Sequence, residues 1–276
     1  MSKTVDWSGA RGVKWHAHVK RMEAMFAPID EPLIDALSLD SPCRIAEIGC
    51  GGGGTTLAVL RRAPTGSVIH GYDVSPVLIE FARGLERSDR SAVNFELADV
   101  QSAAPPREGY HRLISRFGTM FFRDPLVAFT NLNQWLAPGG RFAFAVWGPQ
   151  PENPWELTAR EVVAEIVDVP NPGIDEPGPY RYADADSFLS LLRRAGFEEL
   201  GVSVWRGKLS IGGGLSPHEA ADFALAAFSS FSELIAQAGA GAHDRARRML
   251  TERFSSAVAD GIVQLDARVH IVTGTR

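Results

Sequence analysis

Cysteine is scarce in this 276-residue chain, where Cys43 and Cys50 are the only two. They flank one short extended segment that cannot fold back to bridge them, so they read as reduced core or turn thiols. Positive charge is also short: 28 Lys and Arg against 33 Asp and Glu leave a net charge of −5. That excludes the basic footprint of a protein that grips a phosphate backbone, and no nucleic-acid partner is expected. No run of about 18 apolar residues and no N-terminal signal pattern is present, so the chain is expected to be cytoplasmic, with no membrane partner. No H-x-E, C-x-x-C or paired-carboxylate constellation occurs, and no metal is expected. Internal repeats and low-complexity tracts are missing too. Hydrophobic residues are not in short supply: at 45% of the chain they can fill the core of one large α/β domain with a cap.

Glycine is concentrated in one place. Arg44 to Ile48 is a short, mostly apolar segment suited to a buried parallel strand, and glycines follow at 49, 51, 52, 53 and 54. Thr55 to Arg62 then has helical composition up to Pro64. Strand, glycine turn and helix begin a βαβ unit. The turn lets a ligand approach the backbone, and the N–H groups opening the helix favour a polar or anionic group. Gly49, Gly51 and Gly54 satisfy the dinucleotide pattern G-x-G-x-x-G, whereas Glu47 with Gly49, Gly51 and Gly53 satisfies E/D-x-G-x-G-x-G. An acid two residues before the first glycine suits a ligand with a cationic amino group and repels a pyrophosphate.

Upstream, Trp15 to Phe26 has helical spacing with Trp15, Val19, Met22, Met25 and Phe26 on one side. Pro28 and Pro32 are expected to break it before a short helix from Leu33 to Leu39. Downstream, Ser67 to Asp73 forms the second strand, ending 20 residues beyond Gly53 where an acid can take both ribose hydroxyls. Ser75 and Pro76 open the next helix. Val93 to Val100 carries the third strand and its exit, with Asp99 placed to accept from an adenine amino group. Leu113 to Phe122 is the fourth strand with a glycine-bearing exit. Asp124-Pro125 opens a helix from Leu126 to Leu136, Ala137-Pro-Gly-Gly140 closes it, and Arg141 to Trp147 is the fifth strand.

These motifs resemble those of the class I S-adenosylmethionine-dependent methyltransferases: the acid-led glycine turn, Asp73, Asp99, the S-R-F-G-x-M-F-F exit and L-x-P-G-G before an apolar strand. The resemblance is to the ubiquinone/menaquinone-methyltransferase-like group with small-molecule acceptors, strong over 44–148 and recognisable in layout beyond. It implies a doubly wound, Rossmann-like sheet of seven mostly parallel strands in the order 3-2-1-4-5-7-6, the last antiparallel, with a helical cap. It implies S-adenosyl-L-methionine as cofactor, contacted by Trp15, Glu47, Gly49, Cys50, Gly51, Gly53, Asp73, Val74, Asp99, Val100, Arg116 and Phe117. One departure is that Tyr110 is followed by His111 where the group commonly has an acid; at the strand's N-terminal end, opposite the ligand edge, His111 reads as structural.

The organisation expected is an N-terminal helical lid over 1–32, a cofactor-binding core over 33–148, a cap insertion over 149–182 and the remainder of the same sheet over 183–276. Seven of the 17 prolines fall between 149 and 179, around a helix from Trp155 to Val167, and so long an excursion suits an acceptor pocket. Asp184 caps a helix ending at Gly196, and Phe197 to Ser210 is the sixth strand with a kink near Gly207. Ser216-Pro-His-Glu219 is a capping box for a helix to about Gln237. A helix follows from His243 to Val258, and Leu265, Ala267, Val269 and Ile271 alternate with Asp266, Arg268 and His270 as a last strand. The reaction expected is in-line methyl transfer to a small hydrophobic or aromatic metabolite. His16, in the lid, is the one weak candidate for a base. A non-methylating binder of the same cofactor, as cyclase or regulator, and an NAD-dependent oxidoreductase remain as alternatives.

Overall fold

The computed structural model describes residues 6–85, 92–170, 173 and 176–276. Residues 1–5 and 86–91, and 171, 172, 174 and 175 of the proline-rich insertion, lie outside the described residues. The strands are β1 (Arg44–Ile48), β2 (Val68–Asp73), β3 (Val93–Leu97), β4 (Tyr110–Arg116), β5 (Leu136–Trp147), β6 (Glu198–Ser210), the two-residue β7 (Val258–Ala259) and β8 (Ile262–Thr275). Their order is β3-β2-β1-β4-β5-β8-β6, with β7 paired to β8 off this path. With the two-residue β7 set aside, this is the expected 3-2-1-4-5-7-6 arrangement. Strands β1 to β5 pair in parallel, and β8 runs antiparallel to both β5 and β6. The strand order reverses between β1 and β4, so their C-terminal ends open a crevice at the switch point.

Ten helices accompany the sheet among the described residues: α1 (Ala10–Phe26), α2 (Asp30–Asp35), α3 (Gly54–Arg62), α4 (Pro76–Arg83), α5 (Pro125–Trp135), α6 (Pro154–Ala164), α7 (Ala185–Arg194), α8 (Pro217–Ala227), α9 (Phe231–Gln237) and α10 (Ala242–Ser255). Several start where the caps require. Asp124 accepts the Val127 N–H at 3.1 Å, Asp184 accepts the Ser187 N–H at 2.7 Å, and Ser216 with Glu219 closes a capping box.

Five expectations need correction. First, Pro28 and Pro32 do not separate α1 from the domain. Pro28 sits in a 3₁₀ turn, Ala27–Ile29, and Pro32 within α2, so one nearly continuous helical run leads inward. Met22, Met25, Phe26, Ile29 and Leu33 from this run are all buried in the main core. The second half of α1 is therefore core, and only its first half overlies the crevice. Second, Ala137 to Gly140 is absorbed into β5 as an irregularity: Tyr110 pairs with Leu136, yet Arg112 pairs with Arg141. Extra residues on one strand are how a bulge is made.

Third, β6 is regular through Gly207, whose missing side chain leaves room for the Trp205 ring; the irregularity lies instead between Glu198 and Gly201. Fourth, the helix expected from Ser216 to Gln237 is broken into α8 and α9 at Ser229, which has φ of 42°. Both Arg11 and Lys14 donate to the Ser229 carbonyl, a tertiary demand invisible locally. Fifth, the alternation along β8 fails at His270, which is buried between Val146 and Val204 because both faces of the sheet are covered there.

Candidate cofactor site

The crevice above β1 and β4 holds a cavity of about 140 Å³. Trp15, Glu47, Gly49, Cys50, Gly51, Asp73, Val74, Asp99, Val100, Arg116 and Phe117 line it, so of the twelve expected contact residues only Gly53 is missing. The glycines differ in why they are glycine. A side chain on Gly49 would meet the Gly118 Cα at 2.8 Å, one on Gly52 would meet Val19 at 2.3 Å, and one on Gly53 would meet Phe95 at 2.8 Å. Those three serve close packing. At Gly51, with φ of 52°, the nearest atoms to an added Cβ are Trp15 Nε1 at 3.9 Å and Glu23 Oε1 at 4.0 Å, so it would stand in the cavity. The space kept clear by glycine is cavity at Gly51 alone among these four.

Asp73 ends β2 beside this glycine. Its carboxylate accepts the Gly51 N–H at 2.9 Å and the Ser75 N–H at 2.8 Å. Burial pushes its pKa up, and the N–H groups of Ser75, Gly51 and Val74 pull it back. A carboxylate held by backbone donors has oxygen lone pairs to spare for hydroxyls arriving from the cavity. Asp99 is more exposed and accepts the Gln101 N–H at 3.0 Å, turning the chain so that Val100 and Gln101 close the same wall.

The far end is an island of charge. Arg116, at the end of β4, pairs with Asp30 at 3.0 Å and makes a shorter contact with Glu23. Glu47 is buried and accepts from the Thr56 hydroxyl, while Thr55 donates to Asp30 at 2.8 Å. Burial alone would lower the Arg116 pKa, but Glu23, Asp30 and Glu47 together raise it. Burial drives the Glu47 pKa well above the usual carboxylate range despite Thr56 and Arg116. Two carboxylates, Glu23 and Asp30, pair with one guanidinium beside the glycine turn, with Glu47 nearby.

Aromatic rings close the other side. Phe117 has φ of 67°, an uncommon conformation for a bulky residue, and stacks on Trp147 with ring centroids 4.0 Å apart. Phe26 packs edge-on against Phe117, Trp147 and Trp155. Over the mouth, Trp7 lies 5.6 Å from Trp15 and 4.9 Å from Phe121. The proline-rich segment after β5 reaches the chain beside Phe121, where the Gly178 N–H donates to the Met120 carbonyl at 3.2 Å.

Two expected residues are not at the cavity. Gly53 opens α3 in the left-handed conformation and packs under Phe95. His16 is exposed and lies in a separate surface groove with Lys20, Val77, Glu80 and Phe81. The next residue in a helix is turned by about 100° from Trp15, which is why His16 faces elsewhere. His111 accepts the Arg44 N–H at 3.1 Å, at the opposite end of the sheet from the crevice. Cys50 lines the cavity, but burial and the nearby Asp73 and Glu47 push its thiol pKa well up, so it stays protonated. Sequence reasoning missed Glu23, Trp7 and Gln101. Glu23 follows Trp15 by eight residues, about two turns, and that spacing was a usable signal. Trp7 precedes α1 and carried no such signal.

The backbone cradle, the strand-end carboxylate and the crevice at the switch point define the nucleoside-binding arrangement of a class I methyltransferase. Residues 20–201 match the model of the methyltransferase domain family, and the chain belongs to that family. An aklanonic acid methyltransferase from a Streptomyces species is 27% identical over 43% of this chain and 54% of its own length. A demethylmenaquinone methyltransferase from Thermus thermophilus is 29% identical over 46% of this chain and 57% of its own. The chain thus spans about half the length of these relatives. Among solved structures, a phosphoethanolamine N-methyltransferase from Haemonchus contortus superposes with a TM-score of 0.59 at 12% identity, covering 100% of this chain and 61% of that one, a likeness of fold.

Proposed function

We propose that this protein transfers the methyl group of S-adenosylmethionine to a small hydrophobic or aromatic metabolite. The observation that carries the reading is Gly51, a glycine whose missing side chain opens onto the cavity within hydrogen-bond reach of Asp73. In this reading Asp73 takes the ribose hydroxyls and Asp99 with the Val100 backbone reads the adenine edge. The acids around Arg116, with Glu47 beside them, favour the ammonium of the amino-acid end. When bound, the cofactor supplies a methyl already activated by a sulfonium leaving group. The chain's own contribution is orientation and exclusion of water, and placement of this kind is worth on the order of 7–11 kcal/mol. Trp7, Trp15 and Phe121 line the cavity, where aromatic rings favour an aromatic acceptor and a cation.

No histidine lines the cavity among the described residues, and its carboxylates are engaged with backbone N–H groups, Thr56 or Arg116. An acceptor that is nucleophilic without a protein base suits such a site. The island of Glu23, Asp30 and Glu47 repels a pyrophosphate, which disfavours a nicotinamide dinucleotide. Among the described residues no group of three or more His, Cys, Asp or Glu is arranged to hold a metal, and no helix is long and apolar enough to cross a membrane. Calorimetric titration should show binding of S-adenosylmethionine and of its demethylated product, with none of NAD. A screen of hydrophobic acceptors with methyl-labelled cofactor should then yield a labelled product. Binding without label transfer to any acceptor would point to the non-methylating reading, and binding of NAD alone would sink the proposal.

A further inference from the structure

The end of the sheet farthest from β3 is built unlike an ordinary edge. β6 is 13 residues long and among the described residues pairs only with β8, leaving one side of its ladder open. Proteins usually blunt such an edge by keeping it short, placing charge at its centre or covering it. Here the centre is apolar. Val202 and Val204 are 42% and 40% exposed, two of the few large hydrophobic side chains so placed, and both lie on the face shared with Val272 and His270 of β8. Charge is confined to the ends: Glu198 and Glu199 before the valines, Arg206 and Lys208 after them. The in-chain partners of these bases, Glu152 for Arg206 at 3.4 Å and Asp266 for Lys208 at 3.1 Å, are surface pairs of little worth.

We infer that this edge pairs with the β6 edge of a second copy of the chain, antiparallel, about a two-fold axis near Ser203. A two-fold interface sets residue i against j and j against i. Centred on Ser203, it sets Val202 against the other copy's Val204 and Val204 against its Val202, joining four valines on one face. It also lays the acidic start of each strand beside the basic end of the other. A parallel pairing would lay acid on acid and base on base, so the charges select the antiparallel orientation. The irregularity at Glu199, with φ of 47°, falls outside the central pairs, and the register from Gly201 to Ser210 is unbroken. Main-chain hydrogen bonds then supply affinity along the open ladder, as in strand addition generally. The cofactor crevice, several strands away at β1 and β4, is left free.

Analytical ultracentrifugation across a concentration series tests this on the full chain. The wild type should rise to twice the chain mass. Val204→Lys, an exposed position whose charge would face the other copy's Val202 and lie diagonal to its own counterpart across the axis, should drop the mass twofold while leaving cofactor affinity unchanged. Lys208→Glu should weaken association, and the added Glu198→Lys should recover it. Hydrogen exchange should show the outward amides of Gly201 to Lys208 protected only at high concentration. A wild type that stays monomeric at hundreds of micromolar overturns the inference, as does a Val204→Lys dimer as tight as the wild type's. Folding of each variant is read from its circular dichroism and cofactor binding.

Discussion

The two sides of the cofactor cavity are made of different material. One side is backbone: the glycine turn, the N–H groups held to Asp73 and the exit of β3 around Asp99. These pieces follow three consecutive strands and are tied to a neighbouring strand; the N–H groups of Gly49 and Cys50 both donate to the Tyr72 carbonyl of β2, at 2.8 and 2.9 Å, and the Ala98 N–H donates to the Asp73 carbonyl at 3.0 Å. The other side is side chain: Trp7, Trp15, Phe26 and Phe117 come from the segment before α1, from α1 and from the exit of β4, and Trp147 at the end of β5 with Trp155 of α6 packs behind Phe26 and Phe117. A backbone wall has a shape that depends on φ and ψ and suits a ligand that never changes. A wall of rings from distant segments can be altered one residue at a time, and suits the partner that differs between relatives.

The sharpest break in the comparison comes from the glycines. Gly51→Val should abolish binding of S-adenosylmethionine and its product, because the added carbons enter the cavity, while far-ultraviolet circular dichroism stays that of the wild type. Gly53→Val should instead lower the thermal midpoint, since its side chain meets Phe95. Equal effects of the two on binding and stability would mean the turn has no ligand-facing member.

Next in size is Asp73. Asp73→Ala should lose roughly 2–4 kcal/mol of cofactor affinity, the worth of two charge-assisted hydrogen bonds, in calorimetric titration. Substitution of Trp7 by Ala should leave that affinity nearly intact and raise KM for the acceptor. If Trp7→Ala costs as much cofactor affinity as Asp73→Ala, the division between the two walls is wrong.

Smaller again is Glu23→Gln, which removes one of two carboxylates paired with Arg116. The loss of stability in urea titration should stay below the about 3–5 kcal/mol of a buried pair broken outright, because Asp30 remains. Cofactor binding should change as well, since Glu23 faces Gly51 across the cavity. A stability loss with unchanged binding would make Glu23 a strut for α1 only.

The smallest effect concerns His270, remote from both walls. Both of its ring nitrogens lack a hydrogen-bond partner, and burial, then Arg268, lowers its pKa below 6.5. The unfolded chain therefore binds the proton more readily. Stability from the neutral ring is full above pH 6.5 and is lost as pH falls toward the lowered value. His270→Leu should flatten the stability profile over that acid window, and an unchanged slope would remove His270 from the titration.

How much of this was legible beforehand follows from the kind of interaction. Glycine spacing, the acids at 47, 73 and 99 and the caps at Asp124, Asp184 and Ser216 act within a few residues, so their roles can be read from order along the chain. The strand order came from a resemblance between motifs. Pro28 and Pro32 misled because proline near the start of a helical turn removes only a donor that has no partner there. Met25 and Phe26 are buried because the second half of α1 packs into the core, Phe26 against Trp147, which no local pattern reveals.

By itself, then, the sequence determined the cradle, because a left-handed turn and a strand-end acid are local commitments of the backbone. Only the tertiary structure decided which glycine faces the cavity, that His16 turns away from the crevice, that Glu23 and Asp30 share Arg116 with Glu47 nearby, and that Val202 and Val204 end on an open edge. Each of those depends on what packs against the residue from elsewhere in the chain, and long-range packing is set by the whole fold rather than by neighbours in order.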